Sequence, residues 1–192
     1  MSWKHIYYTA AGRFVQATFD ATWSVLKLFT FGLTHSPEMT RAIMKEFNMD
    51  IQKKIDISKP GIAFSMKLVE NNPFMQWNHI EMDELDEDHC LCHVELHHEQ
   101  TNPNGLAHGG LLFTLADVAA SALARADGRN YSTLDAEIHY MRNVKGGLLF
   151  AEAEVIRRGR TSVLIEVRIR SEEGKELTRV TVTMFCIAPA AK

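Results

Sequence analysis

Cysteine is scarce in this chain. Cys90, Cys92 and Cys186 are the only three in 192 residues, too few for a disulfide scaffold, and the odd count favours a reducing compartment. Five prolines and eleven glycines exclude collagen-like and low-complexity chains. No run of about 18 uninterrupted apolar residues occurs, so no spanning helix is expected. The first thirty residues are rich in aromatics, but Arg13, Asp20 and Lys27 interrupt them, so they do not read as a signal peptide. An excess of positive charge is lacking too: 21 Lys and Arg against 24 Asp and Glu give a net charge of −3. That argues against a protein that coats nucleic acid, though not against a local basic patch. A soluble, cytoplasmic protein is expected. What is present, 46% hydrophobic and 23% charged residues, suits one domain with an appendage.

The charge divides unevenly. Residues 1–60 carry eight basic and five acidic residues, net +3, which leaves −6 for the remainder. The breaker cluster Ser58-Lys59-Pro60-Gly61 marks a boundary. The expected organisation is a helical extension over 1–60 and one domain over 61–192. In the extension Val15, Phe19, Trp23, Leu26 and Leu33 recur at helical spacing. Ser36-Pro37-Glu38 then reads as a second helix start, and Met39, Ile43, Phe47 and Ile51 continue it. The aromatic stripe suits packing on the body or on a second subunit better than a membrane surface, because few basic residues flank it.

Beyond residue 74 the pattern predicts two strands, Trp77 to Leu85 and Cys90 to His97, around the acidic turn Asp86-Glu87-Asp88. A long apolar helix from Gly109 to about Ala126 follows. Four strands with period-two alternation close the chain. Leu134, Ala136, Ile138 and Tyr140 share one strand face, Val163, Ile165, Val167 and Ile169 another, and Val180, Val182, Met184 and Cys186 a third. The order implies an α+β fold, an antiparallel sheet holding one buried helix.

The central helix carries the chemistry. Between His108 and Arg125 its one charge is Asp117. A helix apolar on nearly all sides is buried, and an isolated carboxylate there needs a partner, a cleft or a reaction. Upstream, His108-Gly109-Gly110 opens the helix. A glycine pair at a helix start exposes N–H groups where the dipole is positive, a place for an oxygen that turns anionic. Asp117 lies nine residues past His108, roughly 13 Å along the helix. If both ends act on one substrate, a second subunit must supply one of them. Arg157, Arg158 and Arg160 cluster at a hairpin turn, where arginine forks suit phosphate oxygens.

Taken together, Asn102-x5-His108-Gly109-Gly110, Leu115-Ala116-Asp117 and Thr133-Leu134-Asp135-Ala136-Glu137-Ile138-His139-Tyr140-Met141 resemble hotdog-fold acyl-CoA thioesterases of the phenylacetate-pathway (PaaI-like) type. The resemblance spans about residues 74–187. It implies an antiparallel sheet wrapped around the long helix, and hydrolysis of an acyl-CoA to free acid and coenzyme A. Asp117 matches the general base or nucleophile, and Gly109 the amide that binds the thioester oxygen. Asn102 matches the residue that positions substrate or water, and His108 the one that polarises or orients. Thr133 stands where a hydroxyl helps hold water. Gly110, Arg157, Arg158 and Arg160 complete the expected substrate contacts. The resemblance further implies a homodimer or dimer of dimers whose sites combine the loop of one subunit with the Asp of its neighbour, and no cofactor or metal.

Other readings have weaker support. An acyl-CoA-sensing hotdog regulator with a DNA-binding N-terminal region fits the length and +3 charge of the extension, but such a sensor needs no catalytic carboxylate. A hotdog dehydratase would carry a different His-containing motif. His89, His93 and His97 have i+4 spacing, which gathers metal ligands on a helix and not on a strand. Cys90-x-Cys92 reads as ordinary strand positions, and Ser121 lies in no nucleophile elbow.

Overall fold

The computed structural model describes residues 54–188. The expected N-terminal helices, and the DNA-reading role considered for them, lie on residues 1–53, outside the described residues. Within the body the chain order is β1 (Lys54–Ile55), α1 (Pro60–Glu70), α2 (Pro73–Trp77), β2 (Glu81–Leu85), β3 (His89–Glu95), α3 (Gly109–Arg125), β4 (Asn130–Tyr140), β5 (Leu148–Arg158), β6 (Ser162–Ser171) and β7 (Glu176–Ala188). The seven strands form one sheet in the order β1-β2-β3-β5-β6-β7-β4. All neighbours run antiparallel except β1 with β2.

This is the hotdog arrangement. The chain leaves the central helix α3 and crosses to the far edge of the sheet to make β4. The next three strands then fill the space between β3 and β4. Helix α3 lies on the inner face, and ten of its side chains, from Leu111 to Ala124, are buried. The alternation in β6 and β7 lands as expected: Val163, Ile165, Val167, Ile169, Val180, Val182 and Met184 are fully buried beneath the helix. Cys90 and Cys92 face the same core from β3. Burial pushes both thiols well up from their ordinary value, so they behave as small apolar groups.

Two local expectations need correction. Trp77 closes helix α2 and begins no strand, because Asn72 caps the helix by accepting from the Phe74 and Met75 N–H groups and Pro73 holds the first helical position. In β4 the expected face Leu134, Ala136, Ile138, Tyr140 is only partly a core face: Ala136 and Ile138 pack against the core, whereas Leu134 is 65% and Tyr140 54% exposed. The strand is the outer edge of the sheet and bulges between Thr133 and Asp135. The bulge shifts the alternation by one residue, so Tyr131 turns inward and is buried.

Pro60 and Gly61 also act otherwise than as breakers. Pro60 occupies the first turn of α1. Gly61 lets that helix meet the end of α3: a Cβ on Gly61 would lie 2.0 Å from the Ala126 carbonyl oxygen. No helix among the described residues is long and apolar enough to cross a membrane.

Candidate active site

The start of α3 is held from several sides. Ala107 donates its N–H to the Val144 carbonyl and His108 to that of Gln100. Asn143 donates its side-chain N–H to the Ala107 carbonyl at 2.9 Å. His108 is the N-cap: its Nδ1 accepts the Gly110 N–H at 2.9 Å. This bond assigns the neutral ring's proton to Nε2, which becomes a donor.

The cap changes the roles of the glycine pair. Gly110, expected to meet substrate through its amide, has that N–H engaged by His108, leaving Gly109 as the open donor at the helix start. The Gly109 carbonyl accepts from the Tyr140 hydroxyl at 3.0 Å. A Cβ on Gly109 would press on the Tyr140 ring at 3.3–3.4 Å. Tyr140, absent from the expected site, thus braces the peptide that follows the donor.

Asn102 shapes the loop ahead of the helix. Its Oδ1 accepts from the Asn104 and Leu106 N–H groups at 2.9 and 3.2 Å, and its backbone N–H donates to the Leu106 carbonyl. Gly105 allows the tight turn with φ of +68°. The Asn102 side-chain oxygen is therefore spent on the loop, and its amide N–H groups are what remain for a ligand or water.

Asp117 is half-buried on α3, between the fully buried Ala116 and the buried Val118. Thr133 donates its hydroxyl to Asp117 Oδ1 at 2.7 Å. The bulge in β4 that upset the alternation is what aims Thr133 at the helix. The structure thus joins Asp117 to Thr133, and joins His108 to Gly109 and Gly110. It does not bring the two groups together within one chain: Gly109 and Asp117 are eight residues apart on one regular helix, about 12 Å.

The arginine cluster divides. Arg158 donates to the Ala124, Leu123 and Glu87 carbonyls and to Asp127 Oδ2, at 2.7–3.2 Å. It therefore caps the C-terminus of α3, where a cation suits the dipole, and the expected phosphate role does not fit so fully engaged a fork. Arg157 and Arg160 remain exposed at the hairpin. Asp127 also receives Arg129 and the Tyr131 hydroxyl. Burial raises the Asp127 carboxyl, but these hydrogen bonds outweigh it and hold the group below its ordinary value. Burial, with the bond to Asp127, pushes the Tyr131 hydroxyl up.

The three spaced histidines take separate partners. His93 pairs with the buried Asp83 at 2.7 Å. His89 lies 3.7 Å from Glu152, and His97 meets the His79 ring edge-on.

Comparison with known proteins agrees with this architecture. Residues 104–178 match the family model of the thioesterase superfamily. Several relatives carry the description putative esterase, and two of them are 30% identical or more. One, from Haemophilus influenzae, is 30% identical over 55% of this chain and 80% of its own length. The other, ComA2 of Bacillus subtilis, is 32% identical over 50% of this chain and 79% of its own. Among solved structures, the PaaI protein of the E. coli phenylacetic acid degradation operon superposes with a TM-score of 0.67 at 20% identity. It covers 71% of this chain and 100% of that one, a likeness of fold. A hypothetical thioesterase from Streptococcus pneumoniae, solved with coenzyme A, gives a TM-score of 0.56 at 28% identity, covering 58% of this chain and 91% of that one. On the helix, the loop, the sheet order and these relatives, the chain belongs to the thioesterase superfamily and is a thioester hydrolase.

Proposed function

We propose that the protein hydrolyses acyl-CoA thioesters. The observation that carries this reading is the half-buried Asp117 on the central helix, held by the Thr133 hydroxyl, in a chain of thioesterase ancestry. Water adds to the thioester carbonyl, and the Gly109 N–H, at the positive end of α3, steadies the oxygen as it becomes anionic. Asp117 acts as general base, taking the proton from water. The carbon–sulfur bond then breaks, the proton passes to the thiolate, and free acid and coenzyme A leave. As nucleophile Asp117 would instead displace the thiolate to form a mixed anhydride, which water then hydrolyses to the free acid, regenerating the carboxylate. Thr133 orients the carboxylate. His108 offers its Nε2–H to the substrate, and Asn102 its amide N–H groups. Two relatives support coenzyme A as the carrier. The Streptococcus pneumoniae protein was solved with coenzyme A, and a Streptococcus mutans protein of 26% identity and TM-score 0.56 was solved bound to acetyl CoA. Arg157 and Arg160 are the exposed cations proposed to meet its phosphates.

The working unit in this reading is a dimer, with Asn102, His108 and Gly109 of one subunit facing Asp117 of the other. The separation along α3 supports it. So does the open outer edge of β4, which carries the exposed Leu134 and Tyr140 with Met141 just beyond, a surface suited to pairing with a second copy. The test is a panel of short, medium, long and aromatic acyl-CoAs assayed for free thiol release by the full chain. Turnover of at least one class is expected; no thiol release from any of them overturns the reading.

A further inference from the structure

Arg125 closes the central helix and has no part in the chemistry above. Its guanidinium is half-buried, yet it makes no ion pair among the described residues. It spends its donors on neutral oxygens of two elements: Nη1 to the Ser121 carbonyl at 3.0 Å, Nη2 to the Tyr131 carbonyl at 2.8 Å, and Nε to Asn130 Oδ1 at 3.4 Å. Ser121 lies one turn past Asp117 on α3. Tyr131 lies two residues before Thr133 on β4. Capping the helix does not explain this arrangement, because Arg158 already serves the Leu123 and Ala124 carbonyls. Burial pulls the Arg125 guanidinium down from its ordinary value, and the carboxylate that pushes it back up is Asp117. A desolvated cation is costly unless something in the fold uses its reach.

We propose that Arg125 is a positioning residue of the hydrolytic site, a clamp that fastens the Asp117 half of α3 to the start of β4 and so sets the Thr133 hydroxyl against the carboxylate. Within one chain the edge strand β4 has a sheet partner on one side only and bulges at Thr133. Pairing at either edge of β4 ties it to other strands and not to the helix, and the fork of Arg125 supplies that attachment just ahead of the bulge. A lysine has one ammonium in place of the fork and cannot span Ser121, Asn130 and Tyr131 together. The inference rests on the thioesterase reading for its kinetic consequence, but not for its geometry.

The test is a double-mutant cycle with Arg125→Gln and Thr133→Val in the full chain, read by kcat and KM on an acyl-CoA that the wild type hydrolyses. Arg125→Gln should lower kcat about tenfold with KM within about twofold, the signature of a misplaced group. In the Thr133→Val background the same change should cost less than about twofold, because the group it positions is gone. Full additivity, or unchanged kcat in the single variant, overturns the clamp. If Arg125→Gln does not fold, Arg125→Lys replaces it in the cycle, with the same split expected and the same two results decisive. The Thr133 side-chain rotamer, followed by NMR three-bond couplings without substrate, separates the two readings. It should be fixed in wild type and averaged over rotamers in Arg125→Gln. Equal couplings refute the clamp even if the wild type hydrolyses no thioester, an outcome that would refute only the proposed function.

Discussion

Asp117 and Thr133 meet through a single 2.7 Å hydrogen bond, and each end of it can be tested. Asp117→Asn keeps the shape and removes the base, so kcat should fall by at least the roughly 100-fold of a lost general base, with an unchanged far-ultraviolet spectrum. Near-normal turnover in the folded variant contradicts the assignment. Thr133→Val deletes one hydrogen bond to a charged group. About 1.5 kcal/mol of orientation is at stake, roughly tenfold in kcat, measurable under saturating substrate. At this scale the sequence was informative where chemistry conflicts with surroundings: one carboxylate in an apolar helix stands out. It was uninformative where a residue's partners are distant in the chain. Arg158 shares a turn with Arg157 and Arg160, and only folding shows that it alone reaches Glu87, Leu123, Ala124 and Asp127.

Elements with strict periodicity were legible, and those whose geometry depends on a neighbour were not. The central helix and strands β6 and β7 bury the faces that their patterns assign. The β4 alternation held at Ala136 and Ile138 but misled at Leu134, because a bulge is invisible in a pattern of apolar residues, and it is this bulge that presents Thr133. Pro60-Gly61 misled in another way, since the glycine is required by packing. Gly61→Ala would drive a Cβ into the Ala126 carbonyl, 2.0 Å away. Backbone must shift to relieve the clash, at a cost of about 2–3 kcal/mol or a fall in Tm of roughly 5–10 °C. An unchanged thermal melt would mean that α1 does not seat on the end of α3 as described. The same end of α3 is tied down by Asp127, whose folded carboxyl lies below its ordinary value. Its stabilisation is then complete above the unfolded carboxylate value of about 3.9 and is lost as pH falls through the folded one. Asp127→Asn should therefore cost about 2–4 kcal/mol at neutral pH, since Arg129 and Arg158 lose their shared carboxylate. Denaturant melts should show that gap constant from about pH 6 to 8 and shrinking below about pH 4. A gap that widens in acid contradicts the arrangement.

In the whole molecule, one regular helix separates the Gly109 amide, proposed to bind the oxygen, from the Asp117 carboxylate by about 12 Å, a distance no thioester group spans. The need for a second copy could be argued from residue spacing before any fold was known, because helix rise is fixed. The surface proposed to pair, the strand from Thr133 to Tyr140, could be named from the sequence too, and the crossover that follows α3 makes it an outer edge of the sheet. If two chains pair with twofold symmetry, each of the two sites takes its loop from one subunit and its Asp117 from the other. Asn102→Ala and Asp117→Asn homodimers then each have two damaged sites and should be nearly inactive. A mixed dimer concentrates both lesions in one site and leaves the other intact. Co-refolding equal amounts makes half the dimers mixed, so about a quarter of wild-type activity should return if pairing is random and sites are independent. Subunit exchange is verified by native mass spectrometry before the assay. If mixed dimers form and activity stays at the level of the parents, Asn102 and Asp117 do not serve one site from opposite subunits. The cross-subunit assignment then falls, although Asp117 could still be the base within its own chain.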